Sequence, residues 1–227
     1  MNTRHPRRWI LGSVFCALAF CLPVLSAGEG GPGDTTGAPG SAPKGESARK
    51  LPRVAVAVCV DSEDGRRTEL GTLVIELYPE DAPRHVENFL KLVKEGYYTG
   101  LTFHRIVPAL VIQGGDPQSR SNWQSNRLGV GGPDYTLPAE IGRKHVRGAV
   151  AAARKDSKIN PQRESSGSQF YICLADLPSL DQGGYSVFGQ VVDGMEVVDK
   201  IARVKNSGPP QNQALQRVQM TSVRVLE

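Results

Sequence analysis

Two polar residues stand out against apolar surroundings. Arg105 lies in Phe103-His104-Arg105-Ile106-Val107-Pro108, and Gln113 lies in Val111-Ile112-Gln113-Gly114-Gly115-Asp116. Arginine is seldom inside a protein unless it is paired or faces a cleft. On residue types alone, Arg105 is either a strand-edge arginine capping a carboxylate or a donor turned toward a cleft. Covalent chemistry has less support. Ser165, Ser166 or Ser168 with His104 would be the ingredients of a hydrolase, but no nucleophile-elbow string is present and no acid partner is specified. Gly129-Val130-Gly131-Gly132-Pro133 has the composition of a phosphate loop. Pro133-Asp134 stands where a helix should start and no Walker lysine follows, so it reads as turn geometry. Cys59 and Cys173 each sit in an apolar run and read as two separate buried thiols, not a disulfide scaffold or a metal site.

The elements that must carry these residues follow from hydrophobic period and turn residues. Arg53 to Val60 alternates valine with small residues and predicts a strand. After the turn Asp61-Ser62-Glu63-Asp64-Gly65, Leu70 to Tyr78 predicts a second, with Leu73, Ile75 and Leu77 on one face. Asp81-Ala82-Pro83 opens a helix in which Val86, Phe89, Leu90 and Val93 form the apolar stripe and His85 is solvated. Strands are expected near 102–107 and 109–113, then at 148–153, 167–173, 184–192 and 218–226. A second helix starts at Gly194-Met195, its stripe formed by Met195, Val198, Ile201 and Ala202. Pro117 to Leu128, with Trp123, is longer than a usual connection. Many strands with two helices, one early and one late, favour an antiparallel β-barrel over a βαβ sheet.

The ordered string F-H-R-I-V-P, six residues on Q-G-G-D, resembles the signature of the cyclophilin-type peptidyl-prolyl cis–trans isomerases. Gly131-Gly132-Pro133, Ser166-Gly167-Ser168-Gln169-Phe170-Tyr171-Ile172, Leu180-Asp181, Val187-Phe188-Gly189 and the helix from Gly194 to Ile201 are similar to further blocks of that family, in the same order. The resemblance runs from about Val54 to the C-terminus. It implies a mainly β fold, an eight-stranded antiparallel barrel closed by two α-helices. The substrate site would lie on the outer face, because the interior is packed. It also implies a reaction without nucleophile, metal or cofactor, acting on proline-containing unfolded or extended polypeptides. Arg105 would donate to the prolyl nitrogen as the amide twists. Gln113 would bond the substrate backbone and help orient Arg105. The backbone at Arg154 would pair with the peptide, Ala153 would allow close approach, and Gln169 would line the adjoining groove. Leu110, Val111, Tyr171 and Leu180 would form the proline pocket, with Tyr185 at its rim. His104, one residue from Arg105, would point to the opposite face and be structural.

The chain departs from the pattern at several of these positions. Ala109-Leu110 stands where the family usually has Gly-Phe, Tyr171 where Phe is frequent, Arg154 where Asn is usual, and Ser179 where many cyclosporin-sensitive members carry Trp. Loss of an aromatic wall at Leu110 implies weaker or altered activity, and Ser179 implies poor cyclosporin binding. A peptide-binding or chaperone module with little catalysis is the alternative these departures raise. The 117–128 segment would cover one end of the groove, or Trp123 would pack locally.

Charge and composition limit the remaining possibilities. The 227 residues carry a formal charge of +4, but Arg4, Arg7 and Arg8 precede the first acid, Glu29. Without them 24 basic residues face 23 acidic ones, which gives no support to nucleic-acid binding. Those arginines, the uncharged run Trp9 to Leu25 and the small pair Ser26-Ala27 read as an export signal over residues 1–27. An uncleaved membrane anchor is the rival reading, since 17 residues is the short edge of a span. Residues 28–50, rich in Gly, Pro, Ser and Ala, read as a flexible linker. Residues 51–227 then form a monomeric domain working in the periplasm, the cell envelope or outside the cell.

Overall fold

Alternation along the strands generates two apolar layers, one inside a barrel and one on its outer surface. The computed structural model describes residues 50–62 and 64–227; the export signal, the rival anchor and all but the last residue of the linker lie outside the described residues. Strands β1 (Arg53–Asp61), β2 (Arg67–Leu77), β3 (Phe103–Val107), β4 (Val111–Gly114), β5 (Thr136–Leu137), β6 (Ala149–Arg154), β7 (Ser165–Cys173), β8 (Val187–Asp193) and β9 (Arg217–Leu226) form one sheet. Its order is β3-β4-β7-β6-β8-β2-β1-β9, with antiparallel pairing, and the short β5 adds to the start of β7. A bridge between Thr102 and Gln219, flanked by hydrogen bonds Gly100 N to Met220 O and Met220 N to Leu101 O, nearly closes β9 onto β3. Eight strands thus make the expected antiparallel barrel. A bridged barrel leaves little open edge for another chain to pair with.

Helices α1 (Pro83–Lys94) and α3 (Met195–Ala202) pack against the barrel, and a third, short helix α2 (Pro178–Gly183) precedes β8. Phe89 sits among Tyr98, Phe170 and Phe188 at centroid distances of 5.0 to 5.7 Å, so α1 is anchored by tilted and edge-on aromatic contacts. Leu92 is buried and Leu90 only partly so, a small rotation of the expected stripe.

The start of α1 departs from expectation in an informative way. Ala82, not Asp81, is the capping position, and it offers no side-chain acceptor. Glu140, from a distant loop, accepts from the backbone N–H groups of Arg84 and His85, each at 3.1 Å, and lies 2.6 Å from His85 Nδ1. A carboxylate at this end satisfies orphan donors and the helix dipole together. Asp81 instead pairs with Arg143 at 2.7 Å. His85 is therefore buried rather than solvated, and its ring stacks toward Phe188.

Cys59 and Cys173 are separate, buried and unbonded, as expected. His85, His104 and His145 are all buried, and burial lowers the pKa of each. Glu140 opposes this at His85, and Asp181 at His145. His104 falls to about 4, with Asp116 opposing and Arg105 reinforcing the shift.

A folded pKa below the unfolded value means that the unfolded chain binds more protons. Stability is then complete above about pH 6.5 and is lost as pH falls toward 4. Denaturant unfolding should show a loss of about 2–3 kcal/mol between pH 7.5 and 4.5 from His104 alone, with His85 and His145 adding to it. The loss should shrink in His104→Asn. An unchanged pH slope in that variant would contradict the assignment.

Candidate active site

β3 and β4 form a hairpin in which Arg105 faces Gln113 across the ladder. The turn between them puts Ala109 at φ 61°, the left-handed region where a Cβ is disfavoured, which explains a preference for glycine there. The side chains at 105 and 113 emerge on the outer surface of the barrel, beside the second apolar layer. That layer contains Val111, Ala149, Ala151, Ala153, Tyr171, Cys173, Leu177, Leu180, Tyr185 and Val187. Ala149, Ala151 and Ala153 alternate along the outer face of β6, and their small size leaves room. The result is a shallow depression lined by Arg105, Val111, Gln113, Ala153, Arg154, Tyr171 and Tyr185.

A continuous chain of hydrogen bonds fixes its polar edge. Arg105 Nη1 donates to Gln113 Oε1 at 3.2 Å, Gln113 Nε2 to Gln169 Oε1 at 3.0 Å, and Gln169 Nε2 to Gly131 O at 2.7 Å. A guanidinium only donates, so its contact determines which end of each amide faces which neighbour. The chain ends on Asp116, which is fully buried. Its carboxylate accepts from the backbone N–H groups of Gln118 at 2.8 Å, Gly129 at 2.7 Å and Gly131 at 3.0 Å. The glycine loop does cradle an anion, but the anion is the chain's own Asp116. A Cβ at Gly131 would collide with that carboxylate.

Arg154 contributes its side chain as well as its strand position. It is buried, its guanidinium lies 4.4 Å over the Tyr185 ring, and it donates to the carbonyls of Lys155, Gly183 and Gly184 and to Ser157 Oγ. It thereby ties the end of α2 to β6 and makes Tyr185 a fixed wall. Under the depression lies His145, which the sequence reading did not single out. Its Nε2 is 3.0 Å from Tyr171 Oη and its Nδ1 is 2.8 Å from Asp181. A tyrosine hydroxyl placed in an apolar pocket must find a partner, and that was the available signal.

Of the expected residues, Arg105, Gln113, Val111, Ala153, Arg154, Tyr171 and Tyr185 meet at the depression. Leu110 and Leu180 do not line it; both belong to the apolar layer around it, Leu110 only partly buried. Gln169 is buried behind Gln113, where it links rather than lines, and it borders a second, separate recess. His104 is buried in the adjoining position of β3, as alternation required. The serines are otherwise occupied: Ser168 Oγ donates to Gly115 O, and Ser166 Oγ accepts from the N–H groups of Ser168 and Gln169. The 117–128 segment is held to the other side of β3. Arg120 donates to the carbonyls of Tyr97 and Thr99, and Trp123 O accepts from Gln213 Nε2. Trp123 is half-buried and does not line the depression. Among the described residues, no group of three or more His, Cys, Asp or Glu side chains could hold a metal ion.

Comparison with known proteins places the chain in a family. The model of the cyclophilin type peptidyl-prolyl cis-trans isomerase/CLD family matches residues 65–225. A peptidyl-prolyl cis-trans isomerase of Helicobacter pylori is 39% identical over 140 residues, covering 60% of this chain and 77% of the relative. Peptidyl-prolyl cis-trans isomerase A of Dickeya dadantii is 36% identical over 166 residues, or 70% of this chain and 82% of the relative. The crystal structure of a cyclophilin type peptidyl-prolyl cis-trans isomerase from Cryptosporidium parvum superposes with a TM-score of 0.60 at 26% identity, over 76% of this chain and 98% of that one. A second structure of the same protein, in the presence of the dipeptide Ala-Pro, gives the same score and identity over 75% and 99% of the two chains. An arginine set at the edge of an apolar depression on the outside of an eight-stranded barrel, the family match and these relatives lead to one conclusion: the chain belongs to the cyclophilin-type peptidyl-prolyl cis–trans isomerases.

Proposed function

We propose that the depression beside Arg105 is where this isomerase binds proline and that Arg105 is its principal catalytic residue. The observation that carries the proposal is the chain Arg105–Gln113–Gln169–Gly131, which holds a permanently charged donor against an apolar recess. Rotation about an Xaa-Pro bond crosses a barrier of roughly 18–20 kcal/mol, because the nitrogen lone pair is delocalised into the carbonyl. In the twisted state that lone pair is localised on nitrogen and accepts a hydrogen bond. A rigid, always-ionised donor aimed there is worth more in the transition state than in either ground state. The pyrrolidine ring occupies the recess between Tyr171, Val111 and Tyr185. Gln113 bonds the substrate backbone, and Ala153 and Arg154 bring β6 close to the extended peptide. No covalent bond is made, so no nucleophile is required.

The substrates proposed are extended polypeptides carrying Xaa-Pro bonds. The Ala-Pro dipeptide that accompanies the Cryptosporidium parvum protein supports this class. The composition of residues 1–27 and 28–50 supports an exported monomeric enzyme, tethered or released, that assists folding in the periplasm, the envelope or outside the cell. Leu110 and the exposed Ser179 support weaker proline-peptide turnover than in members with aromatic residues there, and poor cyclosporin binding.

Arg105→Ala should lower kcat/KM for an Xaa-Pro test peptide by about 10²–10³-fold, the scale for losing one preorganised donor. Arg105→Lys should not restore it, because an ammonium lacks the fork. Activity surviving the alanine change would refute the role; a folded wild type without activity would favour a binding module. Gln169→Leu, directly behind Gln113 but outside the recess lining, should lower kcat/KM by about ten-fold, consistent with a misplacement of Arg105 worth about 1.4 kcal/mol. It should also cost about 1–3 kcal/mol of stability by leaving Gln113 Nε2 and Gly131 O unpaired. Full activity in that variant would show that the chain does not position Arg105.

A further inference from the structure

Tyr171 brings a phenol to the apolar side of the recess, and a buried imidazole lies within hydrogen-bond reach of its hydroxyl. Tyr171 Oη is 3.0 Å from His145 Nε2. Asp181 Oδ1 lies 2.8 Å from His145 Nδ1 and also accepts from the backbone N–H of His145 at 2.8 Å. An ionised carboxylate only accepts, so Nδ1 carries the imidazole proton. The neutral ring is then bare at Nε2, and Tyr171 must be the donor. The planes of the two rings are nearly parallel, at 14°, and Tyr185 meets both edge-on at 83°. The side chain of His145 is 1% exposed.

The groups that face this assembly can be named element by element. Asp181 comes from α2, Tyr171 and Cys173 from β7, Tyr185 from the approach to β8, and Arg154 from β6 across the Tyr185 ring; Lys144 is adjacent in the chain. Burial pushes the Cys173 thiol up to about 12, so it stays neutral. Burial opposes ionisation of Asp181, yet its bonds from His145 hold the carboxyl below its ordinary range. Burial lowers His145 below 6.5, with Asp181 working against it. Protonation of His145 beside the ionised Asp181 would leave an ion pair at 2.8 Å.

We infer that His145 is a positioning residue for the proline recess, setting through Tyr171 whether its floor presents a bare phenol oxygen or a phenol O–H. The inference rests on the assignment of the recess as the proline site. With His145 neutral, the Tyr171 proton is held inside the chain and the floor is an aromatic ring. Once His145 is protonated, both ring nitrogens donate, Tyr171 must accept, and its own proton turns out of the chain. The recess then has a polar donor at Tyr171 and a buried cation behind it. An apolar pyrrolidine ring binds less well to such a surface. Acid should weaken binding, and the change should fall mainly in KM.

The test uses a capped Ala-Pro peptide without titratable groups. The His145 ring is first titrated by NMR; the dissociation constant and kcat/KM are then measured at pH 7.5 and at one pH unit below that midpoint, with near-UV circular dichroism confirming the fold at both. The wild type should lose about five-fold in affinity at the lower pH, the scale of one exchanged hydrogen bond. His145→Gln keeps an acceptor for Tyr171 but cannot become charged, and Tyr171→Phe removes the hydroxyl. Each should show less than half of the wild-type pH ratio. A wild-type ratio under two-fold, or a variant ratio at or above half of the wild-type value, would overturn the inference. Should either variant fail to fold, the titration midpoint of the wild-type His145 ring decides: it must match the midpoint of the affinity change, and a mismatch overturns the inference. Binding without turnover would refute the isomerase mechanism and leave the pH ratio decisive. Absence of binding at pH 7.5 would overturn both.

Discussion

The hydrogen bond from Arg105 to Gln113 is the contact on which the site depends. An arginine side chain has many rotamers, and in the role proposed for Arg105 a freely moving one would have to be ordered in each catalytic event. Here the ordering is done in advance and backed in depth. Gln113 is itself held by Gln169, Gln169 by the Gly131 carbonyl, and Gly131 by the carboxylate of Asp116. The chain begins at a solvent-facing cation and ends at a fully buried anion, with amides between them. Each member has a defined donor and acceptor end, so the arrangement has one low-energy sense. Such networks gain most when every member is satisfied.

Strand alternation provides the second constraint. Ile112, Val150, Ala152, Phe170, Ile172 and Phe188 fill the interior, while their neighbours Val111, Ala151, Tyr171, Cys173 and Val187 cover the outside. The interior side chains fill the barrel, and the recess beside Arg105 lies outside it. The recess exists because β6 presents alanines outward between the larger side chains of β4, β7 and the α2–β8 connection. Arg154 then fixes the far wall by holding Gly183 and Gly184 against β6. Fold and site are thus two consequences of the same period-two pattern, one on each face of the strands.

Residues whose meaning is local were legible in the sequence. Arg105 and Gln113 stood out as polar interruptions of apolar strands, and the strands themselves followed from periodicity. The barrel and the outer site came with the resemblance to a family rather than from periodicity. What could not be read were partnerships across long stretches of chain. Glu140 caps a helix 55 residues away from it, His145 meets Tyr171 across 26 residues and Asp181 across 36, and Gln113 meets Gln169 across 56. No local pattern marks such pairs. For that reason His85 was expected in solvent, Leu110 and Leu180 were placed in the pocket wall, and the anion held by the glycine loop was not recognised as Asp116.

The central claim is that Gln169 acts through Arg105 and not independently of it. The most direct measurement is a double-mutant cycle on kcat/KM, comparing Arg105→Ala, Gln169→Leu and the two combined. Residues that act as a unit are non-additive. The account predicts that the double variant is no slower than Arg105→Ala alone, within about two-fold. If the two losses simply multiply, the chain of amides is not what positions the guanidinium, and the account is wrong.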